Sequence, residues 1–556
     1  MSTRHKSRST RLTAALAVAA LVPAIAACNP DQNAATTSTG GMIANLNGGG
    51  FGGGDNPQKN FNPYSPSRLT TDYTYESLFQ VNKYNCDVTP WLATKYDYSD
   101  PTHLVVTTRP GVKWSDGQAF SAQDVAYTFN LLKQHPEFDM EGVWLTPLKS
   151  VEASGDKVTF TFSEPSSPTL VKLANTKIVP QHIWSKVADP VKFTNEQAIG
   201  TGPYTVKSFN GQQLLLARNP NYWQADKVKV NQLTFSSNGG GGDTDKLRLA
   251  RGDYDFNSMF VADIDKTFVS RDPEHNKYWF PAGADISLYM NLTKKPFSDV
   301  GFRKGMAYAI DRQEISKKAE YGYVEPASQT GLVLPGQKDW LSPKYTDGEV
   351  YPFDTAKAKQ AFTDAGYTYN DAGQLLDKSG KPMQFTFKVQ AGYLDWVSAA
   401  QIIKANLAKA GIKIDVRTAA PTDVENDRAV GNYEMTFGVH GGTCNMYTNF
   451  DDPLGSDRSA PIGKKADANF VRWNDAKTDD LLGQLKVATK EADQKQIVQQ
   501  LQDVFVDQLP TIPLWYGAKW FQYRTKNAEN WPNEKDPYAA PDDALLIITK
   551  LTPPKG

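Results

Sequence analysis

Cysteine is scarce in this chain of 556 residues, which has three: Cys28, Cys86 and Cys444. Without a CxxC pair or a histidine cluster beside them they make a poor zinc site, so no metal is expected. Charge of one sign is lacking too. The 60 Lys and Arg against 61 Asp and Glu leave a formal net charge of −1. No basic tract breaks that balance, which removes the electrostatic footprint of a nucleic-acid binder. The apolar stretch 12–27 is shorter than the ~20 residues needed to span hydrocarbon. No GxSxG or HExxH marks a hydrolase. The glycine-rich runs at 48–54 and 239–242 lack the GxxxxGK[ST] pattern of a phosphate loop, and no cofactor is expected.

What is present begins at the N-terminus. Arg4, His5, Lys6, Arg8 and Arg11 precede the apolar stretch, which is broken only by Pro23 and small residues and ends at Cys28. This is the layout of an export signal over residues 1–27. Ile25-Ala26-Ala27-Cys28 resembles a bacterial lipobox, in which the cysteine is acylated and the chain is cut just before it. The expected product is an extracytoplasmic body, tethered by lipid at Cys28 to the outer face of the cell membrane. Residues 28–54, rich in Ala, Thr, Ser, Asn and Gly, read as a flexible tether. Their portion 42–46 reads alternatively as an entering strand, with glycines where backbone approaches ligand closely. An oxidising exterior lets Cys86 and Cys444 pair, but sequence carries no distance, so bonded and free states both stay open.

Residues 28–556 far exceed the ~250 to 300 at which one core stops growing, so two or three lobes are expected. Leu104-Val105-Val106-Thr107-Thr108 and Val158-Thr159-Phe160-Thr161-Phe162 read as strands. Ser121-Ala122-Gln123-Asp124 reads as a capping box, followed by Val125, Phe129 and Leu132 on one helical face. Ala399, Ala400, Ile403 and Leu407 form a second helical stripe, stopped by Gly411. Ile497, Leu501, Val504 and Phe505 form a third. The class is mixed α/β.

Several phrases taken in order carry a resemblance: Tyr75-Glu76-Ser77-Leu78-Phe79, Pro90-Trp91-Leu92-Ala93, Arg109-Pro110-Gly111-Val112-Lys113-Trp114-Ser115-Asp116-Gly117, Gly200-Thr201-Gly202-Pro203-Tyr204, Arg218-Asn219-Pro220-Asn221-Tyr222-Trp223, Ala309-Ile310-Asp311-Arg312 and Ile512-Pro513-Leu514. The chain resembles the family 5 extracellular solute-binding proteins of oligopeptide, dipeptide and nickel importers. The resemblance implies a periplasmic-binding-protein type II-like fold, a three-domain, two-lobed clamp with the ligand cleft between the lobes. By it, residues 55–74, 205–283 and 522–556 form lobe I, 73–204 a domain II packed on it, and 284–521 the closing domain III. Crossings near 284 and 521 form the hinge. The implied protein is a monomer and not an enzyme, with an ABC permease and its ATPase subunits as partners.

In the peptide-binding members an aspartate takes the ligand's α-ammonium, because a buried cation needs a paired carboxylate. The corresponding stretch, 433–447, has no aspartate before Asp451. Aligning on the strand puts Thr443 at the anchor, and aligning on the cysteine puts Met446 there; neither neutralises an ammonium. Sugars ask instead for neutral polar groups and flat rings. His440, Thr443, Asn445 and Tyr447 suit that role, and Tyr64, Trp144, Tyr393, Trp396 and Trp515 are candidate ring platforms. Arg428 would hold a ligand carboxylate if peptides bind. Further phrases, among them Asn62-Pro63-Tyr64-Ser65-Pro66 and Asn469-Phe470-Val471-Arg472-Trp473, resemble the family's oligosaccharide-binding branch. A β-linked oligosaccharide is the favoured ligand, an oligopeptide the alternative, and a nickel chelate or a surface glycosidase the remote ones.

Overall fold

The computed structural model describes residues 41–51, 57–166, 168–237, 243–346 and 348–555. The export signal, Cys28, most of the expected tether and the glycine run 239–242 lie outside the described residues.

A seven-stranded sheet runs in the order Asn276–Tyr278, Gln522–Arg524, Phe256–Asn257, Leu46–Gly48, Gln232–Ser236, Gln213–Arg218, Tyr204–Phe209. Leu46–Gly48 stands in its middle, parallel to both neighbours, so the tether reading of 28–54 is corrected over 43–48, where the chain enters the sheet. Ile43 and Leu46 are buried there. Gly48 makes room for core rings rather than for ligand, since a Cβ on it would come within 2.6 Å of Phe235 and 2.8 Å of Phe256.

Beside this sheet stands an antiparallel one of four strands, Ala93–Asp100, His103–Thr108, Lys157–Phe162 and Leu148–Ser154. Both strands read from sequence form, and their side chains alternate, burying Leu104, Val106, Val158 and Phe160. Helix Ala122–Gln134 packs against it through Val125, Phe129 and Leu132, and its capping box forms, the Ser121 N–H donating to Asp124 at 2.8 Å.

Several of the phrases that carried the resemblance converge on Glu76, while Arg312 and Pro513 of two others meet each other in a second body. The Glu76 carboxyl accepts from Trp91 Nε1, from Tyr222 OH at 3.1 Å and from Trp223 Nε1 at 3.3 Å, while Arg109 stacks on Trp223. Gly200 passes so close to Thr74 that a Cβ would lie 1.9 Å from its carbonyl oxygen.

A five-stranded sheet, Lys413–Ala419, Gln384–Gln390, Met435–His440, Ala282–Met290, Ile512–Ala518, organises the remaining body. Its first two strands are parallel and joined by helix Leu394–Lys409, a βαβ unit. The helix buries the expected stripe, and after it Gly411 adopts φ +87°. Helix Glu491–Gln508 buries Ile497, Leu501, Val504 and Phe505 and leads into Ile512–Ala518.

Between the seven- and five-stranded sheets the chain crosses at 279–281 and 519–521. The crossings are bonded to each other, Trp279 N–H to Phe521 O and Lys519 N–H to Pro281 O, both at 2.9 Å. This neck begins earlier than the expected 284, because Ala282 already pairs with Ala518 in the five-stranded sheet. Each side has its own core, one around Trp114, Phe160 and Trp531, the other around Phe302, Phe437 and Trp515.

Candidate functional site

Strand Met435–His440 delivers the wall of the site. Beyond it Gly441 and Gly442 take φ +74° and +71°, and Gly442 runs so close to the start of strand Ala282–Met290, just past the neck, that a Cβ would lie 2.0 Å from Gly283 O. Only glycine suits both the left-handed backbone and the contact. The turn presents Thr443, Cys444 and Asn445 to the other body. Asn445 caps helix Met446–Leu454, its Oδ1 accepting from Thr448 N–H at 3.1 Å, while its Nδ2 donates across the cleft to Pro168 O at 3.0 Å. Thr443 Oγ1 turns inward to Asn445 O at 2.9 Å.

Two cavities flank this turn. One of about 380 Å³ lies between Tyr96, Tyr98 and Leu170 on one body and Trp340, Asn445 and Tyr447 on the other. The second, about 300 Å³, is lined by Lys83, Glu141 and Asn175 against Thr443, Asn445 and Lys519. It adjoins a third of about 340 Å³ that shares Lys83, Glu141 and Asn175 and reaches Tyr64 and Asp543.

The charges near the neck are spent on one another. Asp542 pairs with Lys83 at 3.1 Å and Lys519 at 2.7 Å; burial opposes its ionisation, but the two lysines hold its carboxyl below the usual range. Burial pushes neighbouring Asp543 up to about 6. Asp451, the first aspartate after the turn, lies 3.5 Å from Arg458 and contacts Tyr447, and burial pushes it up to about 6. The exposed Glu141 carboxylate makes no ion pair among the described residues; Lys172 bonds its backbone oxygen instead.

Of the residues singled out in the sequence, Thr443, Asn445 and Tyr447 reach the cleft. Tyr64 edges the third cavity, but its hydroxyl is bonded to Lys177 O at 2.6 Å and its ring packs on Phe138 and Trp184. Trp144, Trp396 and Trp515 are corrected, their rings being spent on packing, while the exposed Tyr393 stands outside the three cavities. Trp515 is 1% exposed and packs on Phe437, as does Trp396; Tyr393 lies against Trp396 at the start of its helix. Trp144 bonds Phe129 O and is covered by Lys133. Arg428 bonds Phe437 O and lies over Phe470, a structural use of its charge. His440 is buried, with Ser287 Oγ at 3.1 Å and Thr511 Oγ1 at 3.2 Å from its Nε2, and burial drives its pKa down to about 3, so it stays neutral. Cys86 and Cys444 are joined. Among the described residues no group of three His, Cys, Asp or Glu could hold a metal ion.

Sequence reasoning missed Tyr96, Tyr98, Trp340, Lys83, Glu141 and Lys519. The two tyrosines had a signal, spacing i, i+2 on one face of a strand.

A family model described as bacterial extracellular solute-binding proteins, family 5, matches residues 87–459, more than half of the chain. The chain belongs to that family. Among curated relatives, a Bacillus subtilis oligopeptide-binding protein, AppA, is 24% identical over 413 residues, covering 72% of each chain. A Pseudomonas aeruginosa di/tripeptide-binding protein is 25% identical over 500 residues, covering 82% of this chain and 87% of its own. A Thermotoga maritima periplasmic oligopeptide-binding protein of an ABC transporter superposes with TM-score 0.81 at 26% identity, over 90% of this chain and 98% of its own. The same protein with mannohexaose bound gives 0.72 over 92% and 99%. The fold of this family 5 protein is the mixed α/β, periplasmic-binding-protein type II-like clamp.

Proposed function

We propose that this protein is the extracytoplasmic, lipid-anchored solute receptor of an ABC importer, and that it captures a β-linked oligosaccharide between its two bodies for delivery to a permease. The observation that carries the ligand class is the wall Thr443–Asn445–Tyr447. It offers amide, hydroxyl and ring but no carboxylate, and Asp451 beyond it is occupied by Arg458. Neutral donors and acceptors match sugar hydroxyls, and Tyr96, Tyr98 and Trp340 supply faces for pyranose rings. The mannohexaose complex of the Thermotoga protein supports the same class. No bond is broken in this role. Ligand contacts made to both bodies stabilise closure about the neck, and closure is the signal to the permease.

A second reading, peptide capture, is favoured by the relatives' names and by Glu141, whose unpaired carboxylate lines the cleft. Melting temperature against β-manno- and β-gluco-oligosaccharides, and against mixed short peptides, separates the two. Ligand at 100 times its dissociation constant adds about 2.7 kcal/mol. A shift with sugars alone, retained in Glu141→Gln, is the expected result. A shift with peptides alone, abolished by that substitution, would overturn the sugar assignment and leave the receptor role standing.

A further inference from the structure

Two polypeptide crossings join the two bodies, and a third covalent link is made of sulfur. Cys86 lies in the turn after strand Phe79–Val81, its N–H donating to Asn82 O at 2.7 Å. That turn is fastened to the first body by Asn82 Nδ2 to Tyr538 O at 2.9 Å and by Lys83 N–H to Asp543 at 3.0 Å. Cys444 follows the strand Met435–His440 of the five-stranded sheet. The two are bonded across 358 residues of sequence with Cα atoms 5.0 Å apart.

The position of the bond matters more than its existence. Cys444 lines both the 380 and the 300 Å³ cavities, and it shares the second with Lys519 of the neck. The bond therefore stands on the cleft side of the neck, next to the point where Asn445 meets Pro168. Disulfides hold Cα atoms within about 6.8 Å. Starting from 5.0 Å, the walls can part here by less than about 2 Å while the bond is intact. Cys86 is also held at φ +66°, a left-handed backbone that a non-glycine residue keeps only under constraint from its surroundings. Both cysteines are half-exposed, so a small thiol reaches them.

We propose that Cys86–Cys444 is a redox-sensitive strap that limits opening of the cleft, and that a dithiol releases it. One thiolate of the dithiol attacks Cys444 Sγ, the S–S bond breaks, and its electron pair leaves on Cys86 Sγ. The second thiolate of the dithiol then attacks the mixed disulfide and displaces Cys444 Sγ. The dithiol is oxidised by two electrons to its own disulfide, and its two protons end on the two cysteine thiols. The strap acts on the clamp itself and is independent of whether sugar or peptide occupies it.

The test is small-angle scattering of the ligand-free full chain, with thiol titration and near-UV circular dichroism on the same samples, before and after dithiothreitol and again after reoxidation. The expected result is release of two additional thiols, an upward shift in radius of gyration with the dichroism unchanged, and reversal on reoxidation. The double variant Cys86→Ser/Cys444→Ser should show the larger radius in both buffers. An unchanged radius after both thiols are released would overturn the proposal. So would two free thiols at residues 86 and 444 before reduction, or a radius that rises only with loss of the dichroism, which would make the bond a support of the fold.

Discussion

Glu76 ties together segments far apart in the chain, and it does so with a carboxyl that has no exposure to water. Burial pushes its pKa up to about 7, against the donors Trp91, Trp223 and Tyr222 that favour the charged form. A carboxyl raised from its ordinary 4.5 holds its proton more tightly in the folded chain, so its contribution is complete below about pH 4.5 and is lost as pH rises through about 7. The shift corresponds to about 3 kcal/mol. Denaturant titrations of wild type and Glu76→Gln across pH 4 to 8 should show wild type losing stability relative to the variant over that window; a flat difference would refute the assignment. What could be read at this scale was the phrase, not the contact. The same limit governed the ring candidates. A tryptophan suits a pyranose face or a core equally well, and Trp515 lies on a buried edge strand of the five-stranded sheet, where one-dimensional pattern does not tell the two apart. Asn445 and Tyr447 were legible because their segment was judged by what it lacked, a carboxylate, and that property belongs to the sequence.

At the scale of elements, periodicity served well. The helical stripe 399–407 and the alternating strands at 104–108 and 158–162 appear in the structure, since local pattern and tertiary packing agree there. The turn at 441–445 was beyond pattern, because its shape is set by Gly442 meeting the backbone of Gly283. Gly442→Ala should therefore lower the melting temperature more than a glycine-to-alanine change in an open loop, with its φ of +71° and a Cβ 2.0 Å from an oxygen. Asn445 gives a finer test, because its side chain has two separable duties. Asn445→Ala removes both the cap and the tie to Pro168 and should cost about 1 to 2 kcal/mol. Asn445→Asp keeps a good cap but has no donor for the Pro168 oxygen. It should restore most of the stability while the two bodies separate more readily, seen as faster amide exchange around 168–175. Equal loss in both variants would mean that the cap alone matters.

The described residues form two main cores on a two-stranded neck with a smaller apolar cluster beside it, and that arrangement sets how the molecule unfolds. Each core is closed on itself, one around Trp114 and Phe160, the other around Phe437 and Trp515. The continuous chain between them amounts to residues 279–281 and 519–521, and the bodies meet besides through the Cys86–Cys444 bond, Asn445 to Pro168 across the cleft, and Ile264 and Phe280 against Tyr323 beside the neck. Cooperativity between bodies so joined is weak, because melting one removes little that the other needs. A ligand that touches both walls changes this, since its binding energy is lost as soon as either body opens. Calorimetry of the ligand-free protein should give a calorimetric enthalpy larger than the van't Hoff enthalpy, the sign of more than one unfolding unit. Saturating ligand should raise the transition and bring the ratio toward one. A ratio of one without ligand would show that the neck and the Cys86–Cys444 bond already couple the two cores into a single unit, and the clamp would then have to work by a motion smaller than the parting of two independently stable bodies.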